Sequence, residues 1–155
     1  MFVLELCKKL DERKIPYCLV GGTAVALHGA IRGTLDIDLV TTLNERSFIG
    51  IESLLGEMGL EARLPVRARE VFQFREEYIT RRNLIAWSFV DPTHPARQVD
   101  VIITEDLRSL SPVSMKIHGT KVRVASIEGL IQMKGKSNRP QDIEDIKALK
   151  GLLKK

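Results

Sequence analysis

Apolar and polar positions along this chain follow two rhythms, and the switches between them mark the elements. Phe2, Leu4, Leu6, Cys7 and Leu10 recur at helical spacing among charges, which predicts a first helix ending near Lys14, ahead of the helix-hostile Pro16. The run YCLV, Tyr17 to Val20, reads as a short buried strand. Gly21 and Gly22 break it, and TAVALHGA restarts as a helix with Thr23 as its cap. LDIDLVT then alternates with period two, as a strand with one acidic face does. Asn44 caps the next helix, ERSFIGIESLLGEM, where Phe48, Ile51, Leu54, Leu55 and Met58 keep helical spacing.

The middle of the chain, 59 to 82, is dense in charge, and EVFQFREEYITRR fits a helix or an irregular strand. Beyond it LIAWSFV and QVDVIIT are apolar runs on either side of DPTHPAR, whose prolines and Asp91 suit a hairpin loop between neighbouring strands. HGTKVRVAS reads as a turn and a strand, Ser126 as the cap of the helix IEGLIQMKGK, and Pro140 as the first residue of a last helix. In that helix Ile143, Ile146 and Leu149 form the expected core-facing stripe. No repeat, low-complexity tract or linker interrupts the pattern, so one domain over 1–155 is expected.

Composition narrows the class. With 155 residues, 44% hydrophobic and 28% charged, the chain can bury a core without metal or disulfide support. Cys7 and Cys18 have no zinc-type or CxxC spacing and read as reduced core thiols. The apolar stretches are too short to span a bilayer, so no membrane contact and a cytoplasmic location are expected. The net charge of +4 is compatible with a polyanion such as a nucleoside triphosphate or RNA.

Three short segments carry candidate chemistry. Gly21-Gly22-Thr23, between a strand and a helix, can bring backbone N–H groups against phosphate oxygens, or can simply be a tight turn. Asp36 and Asp38 project from one strand face, where they can share a hard cation or face water on an edge. Asp100 interrupts an apolar strand: a buried acid there needs a partner or a metal, and an exposed face is the alternative. If the two strands are neighbours, the carboxylates can serve a two-metal site for phosphoryl displacement. His28, His94 and His118 share no ligand-like spacing, and Trp87 reads as core. Arg63, Arg67, Arg69, Arg75, Arg81 and Arg82 form either a polyanion surface or, with Glu70, Glu76 and Glu77 among them, a solvated charged face.

Taken together, Gly21-Gly22-Thr23, the Asp36/Asp38 pair and the later Asp100 resemble the motif of the nucleotidyltransferase superfamily of DNA polymerase beta. Within it, GGTAVALHGAIRGTLDIDL and SIEGLIQMKGKSNRPQDIEDIKAL are similar to AbiEii-like and minimal nucleotidyltransferases of toxin–antitoxin and phage-defence systems, a likeness covering Tyr17 to Leu149. The resemblance implies an α+β fold: a mixed sheet flanked by helices, with two C-terminal helices. It implies transfer of a nucleoside monophosphate from an NTP to a hydroxyl of RNA or protein, with Mg²⁺ (or Mn²⁺) as cofactor and an antitoxin as a possible partner. The alternative is a non-catalytic nucleotide- or partner-binding module of the same fold.

Carried over by position, Asp36, Asp38 and Asp100 are the catalytic and metal-binding residues. Gly21, Gly22 and Thr23 cradle the nucleotide's triphosphate. Lys134 is the candidate partner of the phosphates, or else a solvated surface lysine. For Arg139, Asp142 and Asp145 structural roles are expected, a bridge between helices and acids favouring a helix dipole. Where many minimal members carry an arginine after the glycine pair, this chain has Ala24 and Val25, with Arg32 the nearest substitute.

Overall fold

The computed structural model describes residues 1–29, 36–137 and 139–154. Inside its sheet lies the strand β1 (Tyr17–Val20), all four residues of which are buried, as its apolar run requires. Ahead of it, α1 (Phe2–Glu12) buries Leu6, Cys7 and Leu10 and stops two residues before Lys14 turns left-handed, with φ of 57°. On one side of β1 lies β2 (Asp36–Thr41), antiparallel; on the other lies β7 (Thr120–Val124), parallel. The remaining strands are β3 (Glu61–Ala62), β4 (Ala86–Asp91), β5 (His94–Ile102) and β6 (Val113–Ile117). They complete a mixed seven-stranded sheet in the order β3-β4-β5-β2-β1-β7-β6. The helices are α2 (Gly21–Leu27), α3 (Glu45–Glu57), α4 (Ala68–Gln73), α5 (Arg75–Arg82), α6 (Ile127–Gly135) and α7 (Pro140–Leu153).

Several expected caps are present. Asn44 Oδ1 accepts the Ser47 N–H at 2.8 Å, Ser126 Oγ accepts that of Gly129 at 3.0 Å, and Pro140 opens α7. Trp87 is core: it stacks on Phe48 and meets Phe89 edge to face. Both cysteines are free and buried, and burial pushes their thiols up to about 11 and about 12, so they are inert.

Other features differ from the sequence pattern. Thr23 does not cap α2, which starts at Gly21; its hydroxyl donates to the Asp36 carbonyl at 3.3 Å. The β4–β5 turn takes only Pro92 and Thr93, because Asp91 Oδ1 accepts both the Thr93 N–H and hydroxyl. His94 is therefore a strand residue, and the register jump from Val90↔Gln98 to Asp91↔His94 accommodates Pro95, which lacks an N–H to pair. The ambiguous middle is two short helices broken at Phe74, after a β3 that sits at the edge of the sheet. β6 was not anticipated; it pairs with β7 through a tight turn in which His118 and Gly119 both have positive φ.

The largest correction concerns α7. Its buried face is Asp142, Asp145 and Leu149, whereas Ile143 is 47% exposed. The helix is rotated by one residue from the apolar stripe because Lys134 of α6 is itself buried and draws both acids inward.

Candidate active site

The parallel pairing of β2 with β5 sets Asp38 opposite Asp100 and Asp36 opposite Gln98. Residues opposed in this way point to the same face about 4.8 Å apart, so two carboxyls meet there. Burial first, then the Asp100 charge and a hydrogen bond with Asp100, push the Asp38 carboxyl up to about 7. Asp36, one strand repeat away on the same face, is also raised, by burial and then Asp100, while Arg63 pulls the other way. The Asp38 carboxyl is thus held well above the usual carboxylate range by burial and by its neighbour, a cost that a bound cation would relieve.

Gly21 closes this site from below. Its φ is +69°, and a Cβ added to it would lie 2.0 Å from Asp38 Oδ2. Only glycine satisfies both the left-handed backbone and the close approach. Gly21 and Gly22 open α2 and line the cleft, and among the described residues no side chain caps that helix end.

The opposite wall comes from α6 and α7. Lys134 is only 7% exposed, which removes the surface-lysine reading; its Nζ lies 2.9 Å from Asp145 Oδ2 and 3.7 Å from Asp142 Oδ1. Arg139 Nε donates to Asp142 Oδ2 at 2.9 Å and Ser137 Oγ to the same oxygen at 2.6 Å. Burial pushes Asp142 up, but these hydrogen bonds and the Arg139 charge outweigh it and hold the carboxyl down at about 2. Asp142 also accepts the Arg139 backbone N–H at 3.2 Å in a capping box, so the structural role expected of it is present alongside the buried pairing. At the rim Lys136 Nζ meets Glu105 Oε1 at 3.1 Å.

Between the walls is a cleft of about 900 Å³. Gly21, Gly22, Asp36, Asp38, Asp100 and Lys134 all line it, as do Lys136, Arg139 and Glu105, and the apolar Ile85, Ile102 and Met133. Thr23 stands behind it, bonded to β2. Arg32 lies outside the described residues. Sequence reasoning missed Lys136 and Glu105, which are far apart in the chain, and Gln98, whose signal was available: it is two residues before Asp100 and so shares its strand face. Several arginines of the middle segment pair with other elements of the fold, Arg67 with Glu52, Arg69 with Glu45 and Arg75 with the Ile103 carbonyl as well as Glu76.

The donor set suits a hard divalent cation, being all carboxylate oxygen. Among the described residues no three His, Cys, Asp or Glu side chains already stand together as a metal cage. The fit rests on the Asp38–Asp100 contact, whose mutual repulsion a cation would relieve, with Asp36 within electrostatic reach of both.

A sheet carrying paired acids beside a glycine turn and two C-terminal helices defines a nucleotidyltransferase architecture. The chain belongs to the family described as "Nucleotidyltransferase of unknown function (DUF6036)", whose model matches residues 2–154. No curated protein matches it. Among solved structures it is similar to an antigenic nucleotidyltransferase-like protein from Paracoccidioides brasiliensis, with 21% identity, 96% of this chain and 73% of that chain covered, and a TM-score of 0.61. It is also similar to ANT(2")-Ia, solved with adenylyl-2"-tobramycin, at 19% identity, 98% and 86% coverage and a TM-score of 0.60. The lincosamide antibiotic adenylyltransferase LnuA, solved with lincomycin, matches at 15% identity, 97% and 94% coverage and a TM-score of 0.59. These likenesses establish the fold. Among the described residues no helix is long and apolar enough to cross a membrane.

Proposed function

We propose that the protein is a Mg²⁺- or Mn²⁺-dependent transferase that moves a nucleoside monophosphate from an NTP, ATP among them, to a hydroxyl of RNA or of a protein. The observation that carries this reading is the Asp38–Asp100 contact across β2 and β5, beneath a glycine turn that tolerates no side chain. Asp36, Asp38 and Asp100 hold the cation, which when bound neutralises charge on the triphosphate and on the carboxylates. The N–H groups of Gly21 and Gly22, backed by Thr23, cradle the triphosphate. Asp100 takes the proton of the attacking hydroxyl, whose oxygen bonds to the α-phosphorus as the bond to the bridging oxygen breaks and pyrophosphate leaves. Lys134 supplies positive charge on the phosphate side of the cleft.

The resemblance of the glycine-turn and C-terminal segments supports an AbiEii-like, toxin–antitoxin or defence setting in the cytoplasm, with a cognate antitoxin as partner. A small-molecule hydroxyl as acceptor is the second reading, favoured by the two antibiotic adenylyltransferases among the structural neighbours.

The test is incubation with each α-³²P-labelled NTP, Mg²⁺ or Mn²⁺, and total RNA, cell lysate or an aminoglycoside. An Asp36→Ala, Asp38→Ala double variant serves as control. Label transferred by the wild type alone is the expected result, and the labelled species names the acceptor. Metal-dependent NTP binding without transfer in any arm replaces the enzyme with a binding module of the same fold.

A further inference from the structure

The edge of the sheet delivers one more residue to the acids. The ladder places Glu61 opposite Val90 and Ala62 opposite Phe89, and the Arg63 N–H continues it by donating to the Ser88 carbonyl at 2.9 Å. Ser88 is opposite Asp100, and Asp100 opposite Asp38, so Arg63, Ser88, Asp100 and Asp38 form one row from the β3 end across β4, β5 and β2. Arg63 Nη2 donates to Gln98 Oε1 at 2.6 Å, and Gln98 Nε2 donates to Asp100 Oδ1 at 3.1 Å.

These two bonds fix each other. A guanidinium only donates and an ionised carboxylate only accepts, so a bridge between them must accept at one atom and donate at another, as a carboxamide does. Arg63 claims the amide oxygen, and this decides that the amide nitrogen faces Asp100. Without Arg63 the amide could turn and present oxygen to oxygen. Asp38 lies directly opposite this carboxylate and Asp36 one strand repeat away on the same face, and the amide holds it against rotation about Cβ–Cγ.

Resting on the metal-dependent reading above, we infer that Gln98 is a positioning residue that orients Asp100 for the cation, with its own orientation set by Arg63. The charged middle segment, unassigned by sequence pattern, thereby acquires a task at the site.

The test is Mn²⁺ affinity, read by electron paramagnetic resonance of the free ion, for Gln98→Met, Arg63→Met and the double variant, with Asp38→Asn as control. Removing such an outer partner weakens metal binding about tenfold, and this is the expectation for Gln98→Met. Gln98→Asn, which keeps the amide but is one methylene too short for both partners, is expected to match it, and provides the measurement if the methionine variant fails to fold. Loss of the Arg63 charge acts on Mn²⁺ alike in both backgrounds and cancels in the cycle, leaving the relay as a coupling of about threefold or more. Additive effects, or wild-type affinity in both Gln98 variants while Asp38→Asn loses Mn²⁺, overturn the relay and leave the metal site standing. Mn²⁺ binding unchanged in Asp38→Asn, or absent in the wild type, overturns the metal site and the relay with it.

Discussion

Two groups of acids face one cleft and are treated in opposite ways. On β2 and β5, Asp38 and Asp100 are pressed together; burial and the Asp100 charge push Asp38 up to about 7 against the opposing pull of Lys134. On α7, Asp142 and Asp145 are buried at 1% and 3% exposure, yet Arg139 and Ser137 hold Asp142 down at about 2, and Lys134 pairs with Asp145. The second group is electrically complete and fastens α7 to α6. In the first, the pull of Lys134 on Asp38 and of Arg63 on Asp36 is outweighed by burial and by the acids themselves. Carboxylates kept at a cost to the fold are what the proposed metal-dependent chemistry would require at this place.

Breaking the complete group should have the largest effect on stability. Lys134→Met removes the buried ammonium beside two buried carboxylates, and urea denaturation at neutral pH should find a loss of about 3–5 kcal/mol; a loss below about 1 kcal/mol would mean that the acids do not depend on Lys134. Asp142→Asn should cost about 2 kcal/mol at pH 7. Because the folded value of Asp142 lies below the unfolded one, its contribution is present above about pH 4 and fades as the pH falls towards 2. Variant and wild type should therefore converge in acid, and a gap independent of pH would contradict the assignment. Smallest of all, Ile143→Gln should change stability by no more than about 0.5 kcal/mol, since Ile143 is 47% exposed. A loss of several kcal/mol would restore the apolar stripe suggested by the sequence.

That stripe shows where sequence reading reached its limit. Local signals were legible: β1 from its apolar run, the caps at Asn44 and Ser126, and Pro140 at the start of α7. The acids of β2 and β5 were legible because strand period fixes which face a residue takes, and the structure makes those strands neighbours. What escaped depended on contacts distant in sequence. Apolarity alone put Ile143 inside, but the buried ammonium of Lys134 overrode it by requiring Asp142 and Asp145 there. β6 escaped because only partnership with β7 shapes its mostly exposed residues. Arg63 looked like one of many surface charges until the β3 edge carried it to Gln98.

The contrast between the two acid groups is tested most directly by the sign of one substitution. In EDTA, urea denaturation compares wild type with Asp38→Asn from pH 4 to pH 8. The folded value of Asp38 lies above the unfolded one, so ionising it weakens the fold progressively as the pH rises from about 4 through 7. The variant should therefore match the wild type near pH 4 and exceed its stability by about 2–4 kcal/mol at pH 8, where Asp142→Asn falls below it. An Asp38→Asn protein less stable than wild type at pH 8 would place Asp38 among the structural acids and contradict the account.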